Sequence, residues 1–180
     1  MKHDTNYHFI LVLTGVDEHT PGLEDALFEA GCDEALVYYR NNVVFLEFDK
    51  AGECLQQAII EAIKAIEAAP INATVDHLEG AWTTLSEIAA RTSFTKQAIS
   101  LFVKGKRGTG DFPVPIAGVN STSPLWRWVD VVQWLCKNHK LTDLQCLADA
   151  QVIDDINGAL ELRDVAKREK RQRLLHDLLS

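Results

Sequence analysis

The sequence predicts an α+β protein, and three observations support that prediction. The first eighty residues alternate between strand and helix patterns. Two short helical patterns separated by a three-residue turn follow near the middle of the chain, and the last forty residues show helical periodicity. We therefore expect an α+β domain over residues 1–80, a small helical domain over residues 81–140 and a C-terminal helical segment over residues 141–180.

The N-terminal domain begins with a strand pattern over residues 7–14 (YHFILVLT), which is apolar on both faces, as in the centre of a sheet. Thr20 is the expected N-cap of the first helix, with Pro21 in its first turn. Gly31 is expected to end that helix. The first strand therefore connects directly to an amphipathic helix.

Two further strands are expected over residues 35–40 and 43–48, joined at Asn41-Asn42, a pair that tolerates the positive φ of a tight hairpin. A second helix over about residues 53–69 and a strand over residues 71–78 complete the domain. This β-α-β-β-α-β order resembles the ferredoxin-like fold. The resemblance implies a domain for ligand sensing or dimerisation, but the fold by itself specifies no function.

Charge is distributed unevenly along the chain. The net charge is −8, yet residues 1–81 carry 4 basic and 15 acidic side chains, whereas residues 82–140 carry 8 basic and 3 acidic ones. Residues 141–180 carry 6 basic and 8 acidic side chains. Because phosphate attracts the basic part and repels the acidic parts, we expect any DNA to contact the middle of the chain.

The sequence shows no pattern for a metal site, a cofactor or a membrane segment. Cys32, Cys54, Cys136 and Cys146 include no Cys-x-x-Cys pair, so we expect reduced thiols in a cytoplasmic protein. The histidines lack ligand spacing. No apolar run is long enough to cross a membrane, and the N-terminus lacks the basic-then-apolar order of a signal peptide.

Catalytic groups are also not apparent. The acidic pairs Asp17-Glu18 and Asp33-Glu34 are candidate acid–base or metal carboxylates, but each lies in an expected loop, where acidic residues are usually solvated. We find no phosphate loop and no set of nucleophile, base and orienting group. The sequence therefore does not predict an enzyme.

The most informative pattern is a pair of short helices. Thr84 and Glu87 form a capping box that begins a helix over residues 85–91. Thr95 is the expected N-cap of a second helix, over residues 96–103.

A polar side of the second helix is not needed for a core. Ala89 is small enough for two helices to cross there, and Phe94 supplies a bulky apolar residue in the turn. The residues left for other contacts are of the types that bind base edges and phosphates: Thr95, Lys96, Gln97, Ser100 and Lys104.

The stretch LSEIAARTSFTKQAISLFVKGKRG, residues 85–108, resembles the helix-turn-helix family at its core positions. The resemblance implies that the second helix enters a groove of double-stranded DNA. It also implies a left-handed glycine where this chain has Ser93, so we expect a cost of about 1 kcal/mol there. Leu101 is expected to touch a thymine methyl group or to pack on the following loop. The alternative is a helical hairpin within a larger core.

A loop with three glycines and three cations follows over residues 104–110, and we expect it to be flexible and to contact phosphates through Lys106 and Arg107. FPVPIAGVNSTSPLWRWVDVVQWL, residues 112–135, then resembles excisionase and MerR-like winged helix proteins. The resemblance implies that residues 112–116 pair with a strand ending in an aromatic-Arg unit, and that Arg127 contacts phosphate. It also assigns four residues to the core: Trp128, Val131, Trp134 and Leu135.

The remaining expectations concern exposure and the C-terminus. We expect Trp82 to be packed and Trp126 to be half exposed. Thr142 is the expected N-cap of the C-terminal helices, and Gly158 the expected bend. The leucines near the end of the chain should contact a second copy or another domain.

These patterns predict a sequence-specific regulator that binds double-stranded DNA as a homodimer, because one small winged domain makes few base contacts. The acidic N-terminal domain would sense a small effector or a protein partner. Two alternatives stay open: an antitoxin or adaptor that binds a protein and autoregulates, and an excisionase-like factor that bends DNA.

Overall fold

Residues 5–180 are described in the structure, a computed structural model. Within them the chain forms a four-stranded antiparallel sheet, a two-stranded sheet and seven helices, which confirms the α+β class. The chain divides into two units. The first extends to Glu79 and includes Asp155–Ser180, and the second is Gly80–Asp154. The C-terminal segment, expected as one part, is thus divided between the two units.

The first unit contains the expected succession of strands and helices. Its elements are β1 (Thr5–Thr14), α1 (Leu23–Glu29), β2 (Ala35–Arg40), β3 (Val43–Gly52), α2 (Leu55–Ala68) and β4 (Thr74–Leu78). The order in the sheet is β2-β3-β1-β4, and all neighbouring strands are antiparallel. Alternate residues of β1 and β3 are buried in register, with Phe9 opposite Phe48 and Leu11 opposite Leu46.

Local turn residues explain most of the boundaries in this unit. Asn41 and Asn42 adopt φ of 51° and 65°, as the hairpin prediction requires. Gly31 ends α1 with φ of 89°, also as expected. The Thr20 prediction is wrong, because its hydroxyl accepts a hydrogen bond from the Asp17 N–H at 2.9 Å. Gly22, with φ of 68°, is the N-cap instead.

The second unit is built from four helices or parts of helices and a short sheet. Its elements are β5 (Trp82–Thr83), α3 (Leu85–Arg91), α4 (Lys96–Val103), β6 (Trp126–Arg127), α5 (Trp128–Lys137) and the first part of α6 (Leu144–Glu161). Strands β5 and β6 are antiparallel. The core includes the four residues expected there: Trp128, Val131, Trp134 and Leu135.

The strand expected over residues 112–116 is not formed. A single bridge joins Ala117 to Leu125, with the Ile116 N–H donating to the Leu125 carbonyl at 2.8 Å. Pro113 and Pro115 have no N–H to donate to a ladder, so this segment cannot continue the pairing. The partner of the aromatic-Arg strand is β5, which the sequence analysis did not identify.

The predictions for two tryptophans are wrong for the same reason. Trp126 is only 2% exposed, whereas Trp82 is 58% exposed. Side chains alternate between the faces of a strand, and β5 directs Thr83 into the core, where it is fully buried. Trp82 therefore points outward. Trp134, also expected to be packed, is buried.

Helices α6 and α7 (Val165–Leu179) end the chain. Asp143, not Thr142, accepts hydrogen bonds from the first N–H groups of α6, at 2.9 and 3.2 Å. Gly158 lies within α6, because one glycine costs only about 1 kcal/mol in a helix. The break comes just before Asp164, which caps α7.

Helix α7 has no buried residue, so its leucines make no extensive packing within the described chain. The leucines concerned are Leu174, Leu175, Leu178 and Leu179. None of the helices in residues 5–180 is long and apolar enough to cross a membrane.

Candidate nucleic-acid interface

Side-chain caps begin both short helices of the second unit, as the sequence predicts. The Thr84 hydroxyl accepts from the Glu87 N–H at 3.3 Å, and the Glu87 carboxylate accepts from the Thr84 N–H at 2.6 Å. The Thr95 hydroxyl accepts from the Ala98 N–H at 3.1 Å. These contacts satisfy N–H groups that have no partner within a helix, so they fix where α3 and α4 begin.

The turn between these helices is closed by Thr92. Its hydroxyl donates to the Ile88 carbonyl at 2.7 Å and accepts from the Phe94 N–H at 3.4 Å. Ser93 is not among the described residues with positive φ. The expected strain at Ser93 is therefore absent, because an extended Thr92, with φ of −125°, turns the chain without a left-handed residue.

Aromatic rings support the inner side of α4. Phe102 is 1% exposed, and its ring centroid lies 5.5 Å from that of Phe94 and 5.2 Å from that of Trp134. Phe94 and Ala89 pack against the same core. Both residues therefore have the packing roles expected from the sequence, and they hold α4 with its other side outward.

The outer side of α4 carries the polar residues expected to contact DNA. Thr95, Lys96, Gln97 and Lys104 are exposed, and Ser100 is half-buried. Leu101 is 39% exposed on this helix, so it offers an apolar surface beside the polar groups. The structure therefore brings five of the eight predicted contact residues onto one helix and its ends.

Positive charge on this surface is not neutralised by nearby carboxylates. Among residues 5–180, Lys96, Lys104 and Lys106 form no ion pair. Arg107 also forms none there, and its guanidinium carbon lies 5.3 Å from the ring centroid of Phe102. These four cations thus remain available to an anionic ligand.

The basic loop after α4 is held in place, contrary to the expectation of a flexible loop. The N–H groups of Lys106 and Arg107 donate to the Leu101 carbonyl at 2.9 and 3.2 Å. Gly108, with φ of 83°, packs so closely that an added Cβ atom would lie 3.2 Å from the Trp134 ring. Only glycine fits this contact without displacement.

Asp111 anchors the far end of the loop. Its carboxylate accepts hydrogen bonds from the Thr109 hydroxyl and from the indole N–H of Trp134, the latter at 2.8 Å. These hydrogen bonds, first that from Thr109 and then that from Trp134, lower the pKa of Asp111. Thr109 also donates to the Asn138 side chain at 3.0 Å. The loop therefore presents its cations from a fixed position.

Arg127, expected to contact phosphate, is paired within the second unit. Its Nε and Nη2 atoms donate to the Asp154 carboxylate at 3.3 and 2.5 Å. This hydrogen bonding raises the pKa of Arg127 further above its ordinary value. Because Asp154 neutralises much of its charge, Arg127 differs from the lysines of α4 and the loop.

Two residues that the sequence analysis did not single out position this surface. Arg91 donates to the Gly80 carbonyl at 2.8 Å and lies over the Trp128 ring, 5.1 Å from its centroid. Asp154 holds Arg127. Basic and acidic residues with such roles resemble ordinary surface charges in sequence, and only their distant partners distinguish them.

No metal or disulfide chemistry is evident in the part of the chain that the structure describes. There, no three His, Cys, Asp or Glu side chains form a group suited to a metal ion. The four cysteines are free thiols, and burial raises the pKa of Cys32 to about 11. At neutral pH this thiol is therefore protonated and weakly reactive.

Comparisons of the chain with protein-family models, with curated proteins and with solved structures found no match. Its function is therefore inferred from the geometry and charge of its own residues.

Proposed function

We propose that this chain is a sequence-specific regulator of transcription that binds double-stranded DNA. In this proposal α3 and α4 form a helix-turn-helix, and the loop of residues 104–111 is its wing. The observation that carries the proposal is the exposed polar side of α4 beside a fixed basic loop, with four cations free of ion pairs among residues 5–180. Unpaired cations in this arrangement suit a phosphate backbone next to a groove.

Base recognition is assigned to the start of α4. The Gln97 side-chain amide can donate to N7 and accept from N6 of adenine in the bidentate pairing typical of glutamine, with its N–H and C=O groups respectively. Lys96 lies beside it and suits guanine or a phosphate. The exposed part of Leu101 suits a thymine methyl group.

Phosphate contacts are assigned to Lys104, Lys106 and Arg107. A loop that is already fixed by Gly108 and Asp111 loses little conformational entropy on binding, so its cations need not be ordered by the DNA. Arg127 contributes less to this proposal than the loop does, because its guanidinium already binds Asp154.

For the first unit we propose a ferredoxin-like domain that joins two copies and senses an effector or partner. The order of its elements and the sheet order β2-β3-β1-β4 support this proposal. Two copies would place two second units on a two-fold DNA site, which increases both affinity and specificity. The excess of acidic residues in the first unit keeps it away from phosphate.

A second candidate is an adaptor or antitoxin whose first unit binds a basic protein. The 15 acidic side chains among residues 1–81, against 4 basic ones, favour this alternative. It differs from the first candidate in that DNA binding would serve only autoregulation. Co-purification of a stoichiometric basic protein with the full chain would support the adaptor.

The proposal is tested by selecting preferred sites for the full chain from random duplex DNA and measuring binding by fluorescence anisotropy. We expect Gln97→Ala to relax the preference at one base pair and to weaken binding to the selected site by about 1–3 kcal/mol. Lys96→Ala should also weaken binding. Selective binding that survives both substitutions unchanged would show that α4 does not read the bases.

A matched control is Lys64→Ala, which removes an exposed lysine from α2 in the first unit. It changes the net charge by the same amount as Lys96→Ala, so general charge effects alter both variants equally. We expect Lys64→Ala to bind the selected site like the unmodified chain.

A further inference from the structure

The two edges of the four-stranded sheet differ in how their backbone groups are satisfied. At the β4 edge, the Asn157 side chain accepts from the Leu78 N–H at 2.7 Å and donates to the Leu78 carbonyl at 2.9 Å. Arg163 donates to the Val75 carbonyl at 2.6 Å, and Glu67 accepts from the Val75 N–H at 3.0 Å. This edge is closed to another strand.

The β2 edge is open. The two-residue turn makes Arg40 and Val43 the closing pair of the hairpin, so hydrogen-bonded pairs recur at every second residue from there. The backbone groups of Ala35, Val37 and Tyr39 therefore point away from β3. The Ala35 N–H donates to Cys32, but among residues 5–180 the outward groups of Val37 and Tyr39 have no hydrogen-bond partner.

We propose that β2 pairs with β2 of a second copy of this chain, antiparallel about a two-fold axis at Val37. In this register Val37 lies opposite the second copy's Val37, and Leu36 lies opposite the second copy's Tyr38. Each Val37 exchanges both backbone hydrogen bonds, and each Tyr39 N–H donates to the opposite Ala35 carbonyl. The two sheets become one sheet of eight strands.

Side chains at the ends of the strand match in this register. Arg40, at the end of β2, comes opposite the second copy's Glu34, which immediately precedes β2. Both side chains are exposed, and neither forms an ion pair among residues 5–180. The two-fold axis forms this pair twice, and opposite charges directly across a strand pair stabilise it. A strand of another sequence would not be expected to supply both matches.

The centre of the strand is apolar. Leu36 is 62% exposed, and Tyr38 is stacked on Phe45 beside it, with ring centroids 5.1 Å apart. Pairing would place each Leu36 against the opposite Tyr38 and cover part of this apolar surface. A free edge strand without proline or lysine invites pairing, so the second copy also protects this chain from aggregation.

The inference specifies the dimer contact of the proposed regulator and rests on the part of that proposal in which two copies act together. It does not depend on the residues of α4. A dimer that fails to bind DNA would contradict the proposed function alone. A monomer that binds its selected DNA site would contradict this inference alone.

The test is a charge swap in the full chain, with the dimer dissociation constant measured by sedimentation equilibrium. Arg40→Glu and Glu34→Arg each place like charges opposite one another twice, so we expect each to weaken dimerisation roughly tenfold or more. The double variant E34R/R40E restores opposite charges, and we expect it to dimerise like the unmodified chain. Lys64→Glu, the same charge reversal on α2, is expected to have no effect.

Three results would overturn the inference. One is an unmodified chain that stays monomeric throughout the measured concentrations. Another is a dimer that both single variants leave unchanged, which would indicate a different contact, such as the exposed leucines of α7. The third is a double variant that is no tighter than the single variants. Thermal unfolding of each variant, followed by circular dichroism, verifies that the comparison is between folded chains.

Discussion

The indole N–H of Trp134 donates to the Asp111 carboxylate at 2.8 Å, and this contact joins α5 to the basic loop that follows α4. Trp134 is also the ring on which Gly108 packs. One buried side chain therefore fixes the loop at two points, by a hydrogen bond and by van der Waals contact. The position of the cations in the loop follows from this core residue.

The first prediction concerns the titration of Asp111. Hydrogen bonds from Thr109 and Trp134 lower its pKa, so we expect Thr109→Val to raise it towards its ordinary value. A lowered carboxyl pKa stabilises the fold above the unfolded-state value and ceases to do so as pH falls through the folded-state value. The loop should therefore loosen only in acid, below about pH 4. Carboxyl carbon shifts in NMR give both titration midpoints, and equal midpoints would contradict the prediction.

The second prediction concerns the close contact of Gly108 with Trp134. Gly108→Ala puts a Cβ atom 3.2 Å from the indole ring at a φ of 83°, so we expect the free energy of unfolding to fall by more than about 1 kcal/mol. Chemical denaturation, monitored by tryptophan fluorescence, measures this loss.

Gly110→Ala is the matched control. Gly110 has a φ of 79°, but an added Cβ atom would meet no atom within 4 Å among the described residues. It therefore shares the backbone cost and lacks the clash. If both variants lose the same stability, Gly108 does not anchor the loop.

The third prediction concerns the turn between α3 and α4. Ser93 does not have positive φ, so a glycine there gains no relief from strain and adds freedom to the unfolded chain. We expect Ser93→Gly to lower the free energy of unfolding by about 0.4–1 kcal/mol. Urea denaturation distinguishes this outcome from the gain in stability that a left-handed serine would predict.

Features that depend on neighbouring residues could be predicted from the sequence. The capping box of Thr84 and Glu87, the Thr95 cap and the Asn41-Asn42 turn each involve side chains within three residues of one another. Helical periodicity likewise placed Gln97 on the outer side of α4. These local rules produced the α+β class and most residues of the candidate surface.

Features that depend on distant partners could not be predicted. Strand β5 has two residues, too few to show a period, so the exposure of Trp82 and the burial of Trp126 were assigned wrongly. The pairing of Arg127 with Asp154 spans 27 residues. Asp111 looks like a surface carboxylate until Trp134 is placed beside it. In each instance the deciding contact is set by tertiary packing.

The salt dependence of DNA binding tests the central claim most directly, because each phosphate contact contributes about −0.9 to the slope of log K against log[salt]. With the selected duplex, we predict that the double variant K104A/K106A has a slope about 1.8 units shallower than the unmodified chain. Lys64→Ala should leave the slope unchanged. An identical slope in K104A/K106A, or no saturable binding to duplex DNA at low salt, would contradict the assignment of α4 and its loop to DNA.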